Sequence, residues 1–219
     1  MGTALGTLWA RAGHTVAFSY SRDPRKLEAT ARAAGGKSHA TLPDAAVRES
    51  EVVLVAVPWH RLDDALGAAG GAPAFAGRVV ITCSLPMTAD DSALAIGHTT
   101  SGAEELAARL PGARVVAAFN TIPSELLHEE VLALHPGRRG PAVIQCGDDP
   151  AAKAVVATLA PDAGLDPVDA GPLQIARYLE PFGLLIAQLA YTQEMGPELA
   201  YQLLRFTNDE DQAPNGGEG

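Results

Sequence analysis

A group of hydroxyl and cationic side chains is the clearest candidate for chemistry in this sequence: Ser21, Arg22, Arg25 and Lys26. Such groups bind phosphate oxygens through charge-assisted hydrogen bonds. Where they follow a strand, in place of an acidic side chain, they favour the 2′-phosphate of NADP over the free ribose hydroxyls of NAD. In isolation the same residues are equally consistent with the solvated start of a helix that Asp23 caps.

The first residues of the sequence are the second candidate. Gly2 is followed by apolar residues at helical spacing and then by Gly13, so it stands where the third glycine of a G-x-G-x-x-G turn opens a helix. Met1 and Gly2 are therefore predicted to lie beside a pyrophosphate. The first strand and the two leading glycines of that motif would precede residue 1. We expect a late-assigned start codon, with a natural short form as the alternative.

Such a strand normally lies in the middle of the sheet. Its removal would leave two central strand edges unpaired, and each lost backbone hydrogen bond is worth roughly 0.5–1.5 kcal/mol. Because a whole domain is stable by only about 5–15 kcal/mol, we expect a chain without this strand to fold poorly or to recruit a substitute strand.

Two further segments follow apolar, strand-like runs, Glu51–Val57 and Arg114–Phe119. In open α/β sheets, ligands bind at the carboxyl ends of the strands. We expect the first segment to form a wall of a nucleotide cleft, with its tryptophan either flanking the adenine or ribose or simply packing, and the second to face the nicotinamide. The residues concerned are Ala56, Val57, Pro58, Trp59, Asn120 and Thr121.

No pattern in the sequence indicates a catalytic side chain or a metal site. The six histidines are scattered, and Cys83 and Cys146 lie in apolar runs without ligand spacing, which is typical of buried free thiols in a reducing compartment. Ser101 is interpreted as the cap of a helix that ends at Leu110. A nicotinamide enzyme without a proton donor fits hydride transfer between two bound redox cofactors, because that chemistry belongs to the cofactors.

Strands and helices alternate along the chain, which predicts an α/β fold: a Rossmann-like, doubly wound, mostly parallel sheet with helices on both faces, its first strand missing. A long C-terminal helix is expected from near Leu173 through Tyr191, and residues 84–100 are a candidate functional loop. Residues 1–206 are predicted to form one NADP-binding domain. Residues 207–219 are polar and glycine-rich, so a disordered tail is expected.

Composition narrows the classes of partner. The chain has 219 residues, 47% of them hydrophobic, and a formal net charge of −10, which argues against nucleic acid as a partner. No stretch approaches the roughly 20 apolar residues that span a bilayer, and no signal peptide is visible, so no membrane association is expected. A cytoplasmic location and a small-molecule substrate are the resulting expectations.

From Gly2 to about Arg205 the sequence resembles the NADP oxidoreductases that depend on coenzyme F420, a deazaflavin. The resemblance rests on the following segments: Ser21-Arg22 with Lys26, Ala56–Trp59, Asn120–Pro123, Gly147–Asp149 with Lys153, and Asp169–Leu173 with Arg177 and Glu180. It implies that Met1 and Gly2 end the pyrophosphate turn and that Ser21, Arg22 and Lys26 clamp the 2′-phosphate.

The resemblance also implies that a deazaflavin lies against the nicotinamide near residues 120–123 and 169–173. Asn120 departs from the family, in which a histidine stands at this position. The fold also resembles the cytoplasmic domain of membrane ferric reductases, which pass electrons from NADPH to flavin. A flavin or another small oxidant therefore remains open as the acceptor.

The sequence thus predicts an NADP(H)-dependent oxidoreductase that transfers a hydride between NADP(H) and a flavin-like or deazaflavin (F420) acceptor. A homodimer is expected, with the apolar final helix, Pro181 to Tyr191, at its contact. The alternative is a non-catalytic NADP-sensing or interaction module, or a truncated inactive fragment.

Overall fold

A computed structural model of the chain describes residues 1–133 and 139–205; residue 206 and the predicted tail, 207–219, lie outside the described residues. The strands are β1 Ala17–Phe18, β2 His39–Ala40, β3 Val52–Val55, β4 Val79–Thr82, β5 Arg114–Ala117, β6 Ala142–Gly147 and β7 Asp166–Asp169. The helices are α1 Gly2–Arg11, α2 Pro24–Ala34, α3 Pro43–Glu49, α4 Leu62–Ala68, α5 Gly102–Arg109, α6 Glu129–Leu132, α7 Pro150–Asp162 and α8 Ala176–Tyr191.

The strands form two separate sheets. Strands β1 and β2 pair in parallel as a two-stranded sheet, and the other strands form a five-stranded sheet in the order β3-β4-β5-β6-β7. Within the larger sheet only the β5–β6 pair is antiparallel. The prediction of a mostly parallel α/β sheet with helices on both faces and a long C-terminal helix is confirmed.

The larger sheet is the centre of the fold, because its strands are apolar on both faces. All residues of β4 are buried: Ile81 packs into a cluster with Leu8 of α1 and Val156 of α7, whereas Val80 packs into a second cluster with Leu66 of α4. Helices therefore cover both faces, which is the reason that β3 and β4 read as continuous apolar runs.

The ends of two elements differ from the sequence prediction. The strand expected before the Ser21 cluster is limited to Ala17–Phe18, and Tyr20 has a positive φ of 61° that turns the chain out of the strand. The final helix begins with a 3₁₀ turn, Leu173–Ile175, before α8 proper.

Side-chain caps fix the starts of α2, α5 and α7, and the sequence predicted the first two, at Asp23 and Ser101. Asp23 accepts hydrogen bonds from the backbone N–H groups at the start of α2, Ser101 accepts one from Glu104, and Asp149 accepts one from Ala152. Each cap fixes the residue at which a loop ends and a helix begins. The caps therefore also help to position the loops at the carboxyl edge of the sheet.

A buried carboxylate ties the last helix to α5. Glu180 of α8 is 1% exposed, and its two oxygens accept hydrogen bonds from the N–H groups of Gly102 and Ala103, each at 2.9 Å. Burial raises the pKa of Glu180 to about 7, although the two N–H groups oppose that shift. Beside it, Arg177 forms an ion pair with Glu104, so α8 is held to α5 at two points.

Candidate functional site

A cavity of about 1040 Å³ lies between the two sheets and brings together residues from several separate stretches of the chain. Among those stretches are the start of α1, the end of β1, the first turn of α2 and the end of β3. Of the predicted site residues, it is lined by Met1, Gly2, Ser21, Lys26, Ala56 and Val57. The structure therefore places the predicted pyrophosphate end and part of the predicted 2′-phosphate cluster on one cavity.

The start of α1 is suited to an anion. The side chain of Met1 does not cap the helix, and the first turn contains no acidic residue. The cap residue therefore offers no side-chain acceptor to the first N–H groups of the helix. Such a helix end, with the positive pole of the helix dipole, binds phosphate groups. A Cβ added at Gly2 would lie 3.2 Å from the Cβ of Ala56, so a glycine lets α1 approach the end of β3 closely.

The cationic cluster lies at the start of α2. Arg22 and Lys26 are exposed, and Lys26 lines the cavity. The carboxylate of Asp23 accepts hydrogen bonds from the N–H groups of Arg25 and Lys26, at 2.9 and 3.3 Å. Both bonds go to the Oδ1 of Asp23, so this carboxylate serves as a helix cap, whereas the acidic residue of an NAD site accepts from ribose hydroxyls.

Tyr20 joins the two sides of the cavity, a contact that the sequence did not reveal. Its hydroxyl donates to the carboxylate of Asp64 at 2.7 Å and lies 3.5 Å from the carbonyl oxygen of Arg61. Burial is the largest cause of a raised pKa of Tyr20, and the Asp64 carboxylate adds to it. The contact places the end of β1 near the start of α4, whose sequence gives no sign of this partner.

A second cavity, of about 340 Å³, lies at the carboxyl ends of β3 and β4. Its predicted members include Met1 and all four residues of the 56–59 segment. Its other lining residues include Ser84, Leu85, Met87 and Asp91, which belong to the candidate functional loop 84–100. Sequence reasoning missed His60 and Cys83; the position of Cys83 directly after an apolar strand was the signal that could have identified it.

A hydrogen bond from the hydroxyl of Ser84 stabilises the wall of this second cavity. Ser84 is 8% exposed, and its Oγ donates to the carbonyl oxygen of Val57 at 2.7 Å. The bond joins the segment after β4 to the segment after β3. Cys83 beside it is half-buried, and burial raises the pKa of its thiol to about 12, so the thiol is uncharged at neutral pH.

The ring of Trp59 lies over the guanidinium of Arg109, 5.3 Å from ring centroid to Cζ. This cation–π contact accounts for the half-buried position of Trp59 by packing alone. Because Trp59 also lines the second cavity, both interpretations made from the sequence remain compatible with its place.

Asn120 and Thr121 lie at the end of β5, and neither lines the two cavities described above. They are 8% and 1% exposed. Thr121 shares a 2.6 Å hydrogen bond with the hydroxyl of Tyr201, and the Asn120 Oδ1 is buried without a hydrogen-bond partner among the described residues. The role predicted for these two residues at the nicotinamide stays a prediction.

Over residues 1–133 and 139–205, no group of three or more His, Cys, Asp or Glu side chains is arranged to hold a metal ion. In the same part of the chain, no helix combines the length and the apolarity needed to cross a membrane.

The first part of the chain is similar to a known protein family. Residues 1–86 match the model of the family described as NADP oxidoreductase, coenzyme F420-dependent. The resemblance expected from the sequence is therefore confirmed over these residues. The metalloreductase STEAP3 of Rattus norvegicus is 31% identical over 179 residues, which are 81% of this chain and 33% of that protein. The chain thus spans about a third of the length of this relative.

Solved structures show the same fold. A candidate F420-dependent NADP reductase from Arthrobacter sp. FB24 superimposes with a TM-score of 0.80 at 24% identity, over 93% of this chain and 95% of that one. A hypothetical protein of Sinorhizobium meliloti gives a TM-score of 0.69 at 25% identity, over 94% and 91%. These likenesses show the fold, and the family match over residues 1–86 supports an NADP oxidoreductase in general.

Proposed function

We propose that this chain, whose first 86 residues match the F420-dependent NADP oxidoreductases, binds NADP(H) and transfers a hydride between it and a flavin-like or deazaflavin acceptor. One observation carries the proposal. A single cavity is lined by the uncapped start of α1 at Met1 and Gly2 and by Ser21 and Lys26 at the start of α2. These are the two phosphate-binding features that an NADP site requires.

The residues fit the nucleotide as follows. The N–H groups at Gly2 bind the pyrophosphate, and Ser21, Arg22 and Lys26 bind the 2′-phosphate. The Ala56–Trp59 segment forms the wall between the two cavities. When bound, the nicotinamide supplies the hydride chemistry; the protein binds, orients and excludes water.

The acceptor binds in the second cavity. The ring of Trp59 and the side chains of Leu85 and Met87 give this cavity apolar surfaces, which suit a planar ring system. The cavity adjoins Met1, at the phosphate end of the first cavity, so donor and acceptor would meet at the carboxyl edge of the sheet. Hydride transfer moves two electrons and one hydrogen nucleus to the acceptor, and any further proton is taken from solvent.

Replacement of the cationic pair tests the nucleotide assignment. Arg22→Ala with Lys26→Ala is expected to weaken NADPH binding by several kcal/mol at most, because each charge-assisted bond is worth about 1.5–3 kcal/mol. NADH affinity should stay within about twofold. Arg32→Ala is the control, because Arg32 is an exposed arginine in the last turn of the same helix and does not line the cavity. Equal losses for NADPH and NADH in the double variant would contradict the 2′-phosphate role.

The acceptor is tested separately, by following NADPH oxidation with F420, FMN and FAD as acceptors. Turnover with one of these, reduced when Met87→Glu introduces a charge into the second cavity, would support the assignment. NADPH binding without turnover of any acceptor would favour a nucleotide-sensing module over an oxidoreductase.

A homodimer through α8 is part of the proposal. Tyr178 and Leu185 lie two helical turns apart and are 72% and 52% exposed, whereas Leu179 and Ile186 next to them are buried. The outer face of α8 thus presents large apolar side chains to solvent. Exposed apolar surface of this kind is typical of subunit contacts, and a second copy of the same helix can cover it with twofold symmetry.

A further inference from the structure

The tryptophan in the wall of the second cavity is held from outside that cavity. The guanidinium of Arg109 lies over the ring of Trp59, 5.3 Å from Cζ to the ring centroid. Arg109 is the last residue of α5 and lines neither of the two cavities described above, whereas Trp59 lines the second one. The cation therefore covers a part of the ring that this cavity does not reach.

Two carboxylates hold the guanidinium in place. Its Nε lies 3.2 Å from the Oδ1 of Asp63, in the first turn of α4, and its Nη1 lies 3.6 Å from the Oε2 of Glu105, one turn back in α5. The Nη1 atom is buried and has no hydrogen-bond partner among the described residues. A buried donor without an acceptor is costly, and the face of an indole attracts a cation. The ring and the guanidinium therefore stabilise each other.

The backbone alone does not fix the orientation of this ring. Trp59 is half-buried and begins a 3₁₀ turn of three residues, Trp59–Arg61, that follows β3, and a tryptophan side chain rotates about two bonds. The other large apolar side chains of the cavity, Leu85 and Met87, belong to the irregular loop after β4. The space that the cavity leaves for a planar ring therefore depends on the orientation of the indole, which Arg109 restricts.

We propose that Arg109 is a positioning residue of the acceptor site, and that it holds the indole of Trp59 in the orientation on which a planar aromatic acceptor stacks. This inference rests on the proposed function, which assigns the acceptor to the second cavity. Arg109 acts on the affinity for the acceptor but not on the affinity for NADPH, because neither it nor Trp59 lines the first cavity. Stacked aromatic rings attract each other beyond the area that they bury, so the site selects flat ring systems.

A riboflavin titration without nucleotide tests the effect on acceptor affinity. Riboflavin carries the flavin ring but no phosphate group, so the cationic cluster at Lys26 does not attract it. Its fluorescence falls when the ring stacks on an indole, which gives a direct signal of the contact with Trp59. Arg109→Ala is expected to weaken riboflavin binding roughly three- to tenfold, the range that aromatic stacking contributes, and to leave the Kd for NADPH within about twofold.

Arg48→Ala is the matched control for this titration. Like Arg109, Arg48 pairs with a carboxylate four residues earlier on its own helix, Asp44 at 3.4 Å, and it lines neither cavity. Its removal should leave riboflavin binding as in the parent. Arg109→Lys keeps a cation and should restore part of the affinity that Arg109→Ala loses. A lysine variant that binds as weakly as the alanine variant would assign the loss to packing and overturn the inference.

Time-resolved anisotropy of the tryptophan emission measures the hold on the ring without any ligand. The other tryptophan, Trp9, is 7% exposed and donates to the carbonyl oxygen of Leu159 at 2.8 Å, and its signal is measured separately in Trp59→Phe. Arg109→Ala is expected to roughly double the amplitude of ring motion faster than a nanosecond. Asp63→Asn, which only loosens the guanidinium, should act in the same direction and keeps the test valid if Arg109→Ala does not fold. Unchanged ring motion would overturn the inference.

The outcomes separate this inference from the proposed function. Riboflavin that binds the parent and Arg109→Ala equally well would overturn the role of Arg109 and leave the acceptor site standing. Riboflavin that does not bind the parent would contradict the acceptor site, and the inference would fall with it. The NADPH titration is independent of both results, because it reports only on the first cavity.

Discussion

Glu180 makes the stability of this protein depend on pH in an unusual direction. Its pKa is raised from 4.5 to about 7, chiefly by burial, with the charge of Glu104 adding to it. A carboxyl whose pKa is raised by folding stabilises the folded chain below the unfolded value and loses that contribution as pH rises through the folded value. At 1.36 kcal/mol for each pH unit, this group alone is expected to lower the free energy of unfolding by about 3 kcal/mol between pH 4.5 and pH 8.

The substitution Glu180→Gln isolates this effect. Glutamine keeps the shape of the side chain but cannot ionise. At pH 5 the protonated carboxyl of Glu180 still has two oxygens that can accept from the N–H groups of Gly102 and Ala103, whereas the NH₂ group of glutamine cannot accept, so one N–H group loses its partner. Leaving one buried donor unpaired costs about 1–3 kcal/mol. At pH 5 the free energy of unfolding of the variant should therefore be lower than that of the parent by about this amount. At pH 8 the two free energies of unfolding should be close, because ionisation of Glu180 has by then destabilised the parent.

Urea unfolding at pH 5.5 and pH 8, on the parent and the variant, measures the difference directly. Asp169→Asn is the control, because the hydrogen bond from Lys153 holds the pKa of Asp169 below its usual value and Asp169 does not affect the pKa of Glu180. That carboxyl is ionised in both states above about pH 5, so the cost of its replacement should be the same at the two pH values. An equal cost of Glu180→Gln at both pH values would refute the reasoning.

Two further predictions concern α8 and its surroundings. A Cβ at Gly183 would lie 2.6 Å from the carbonyl oxygen of Asn120, so Gly183→Ala should lower the thermal midpoint by several degrees. Gly67 has open space around it, so Gly67→Ala should keep the thermal midpoint or raise it, because alanine is favoured over glycine in a helix by about 0.5–1 kcal/mol. Leu185→Glu should convert the proposed dimer to a monomer by light scattering, while Leu42→Glu, at a position 71% exposed on another surface, should leave the mass unchanged. A monomeric parent would contradict the dimer, and equal thermal midpoints for the two alanine variants would contradict the close packing of α8.

Features that depend on neighbouring residues, such as strands and helix starts, were predictable from the sequence. The strands β3 and β4 follow from runs of apolar residues, and the caps Asp23 and Ser101 follow from the residue type that precedes each helix. That the start of α1 and Lys26 line one cavity agrees with the expected strand order, because parallel strands present their carboxyl ends at one edge.

Contacts between distant segments were not predictable. Glu180 is buried because α8 packs against a helix start nearly 80 residues earlier in the chain, and nothing near it in the sequence indicates that partner. The bond from Tyr20 to Asp64 depends on a positive φ at Tyr20, and the lining of the second cavity by Cys83 and Met87 depends on the path of an irregular loop. Each of these features depends on how segments that are distant in the sequence pack against each other.

The central claim is that one cavity binds NADP(H) through a helix start and a cationic cluster. A fluorescence titration of the full chain with NADPH and with NADH tests it most directly. The account predicts saturable binding of NADPH that is at least about tenfold tighter than that of NADH, since one lost charge-assisted bond already costs about 1.5–3 kcal/mol. Equal affinity for the two nucleotides would contradict the assignment of Ser21, Arg22 and Lys26.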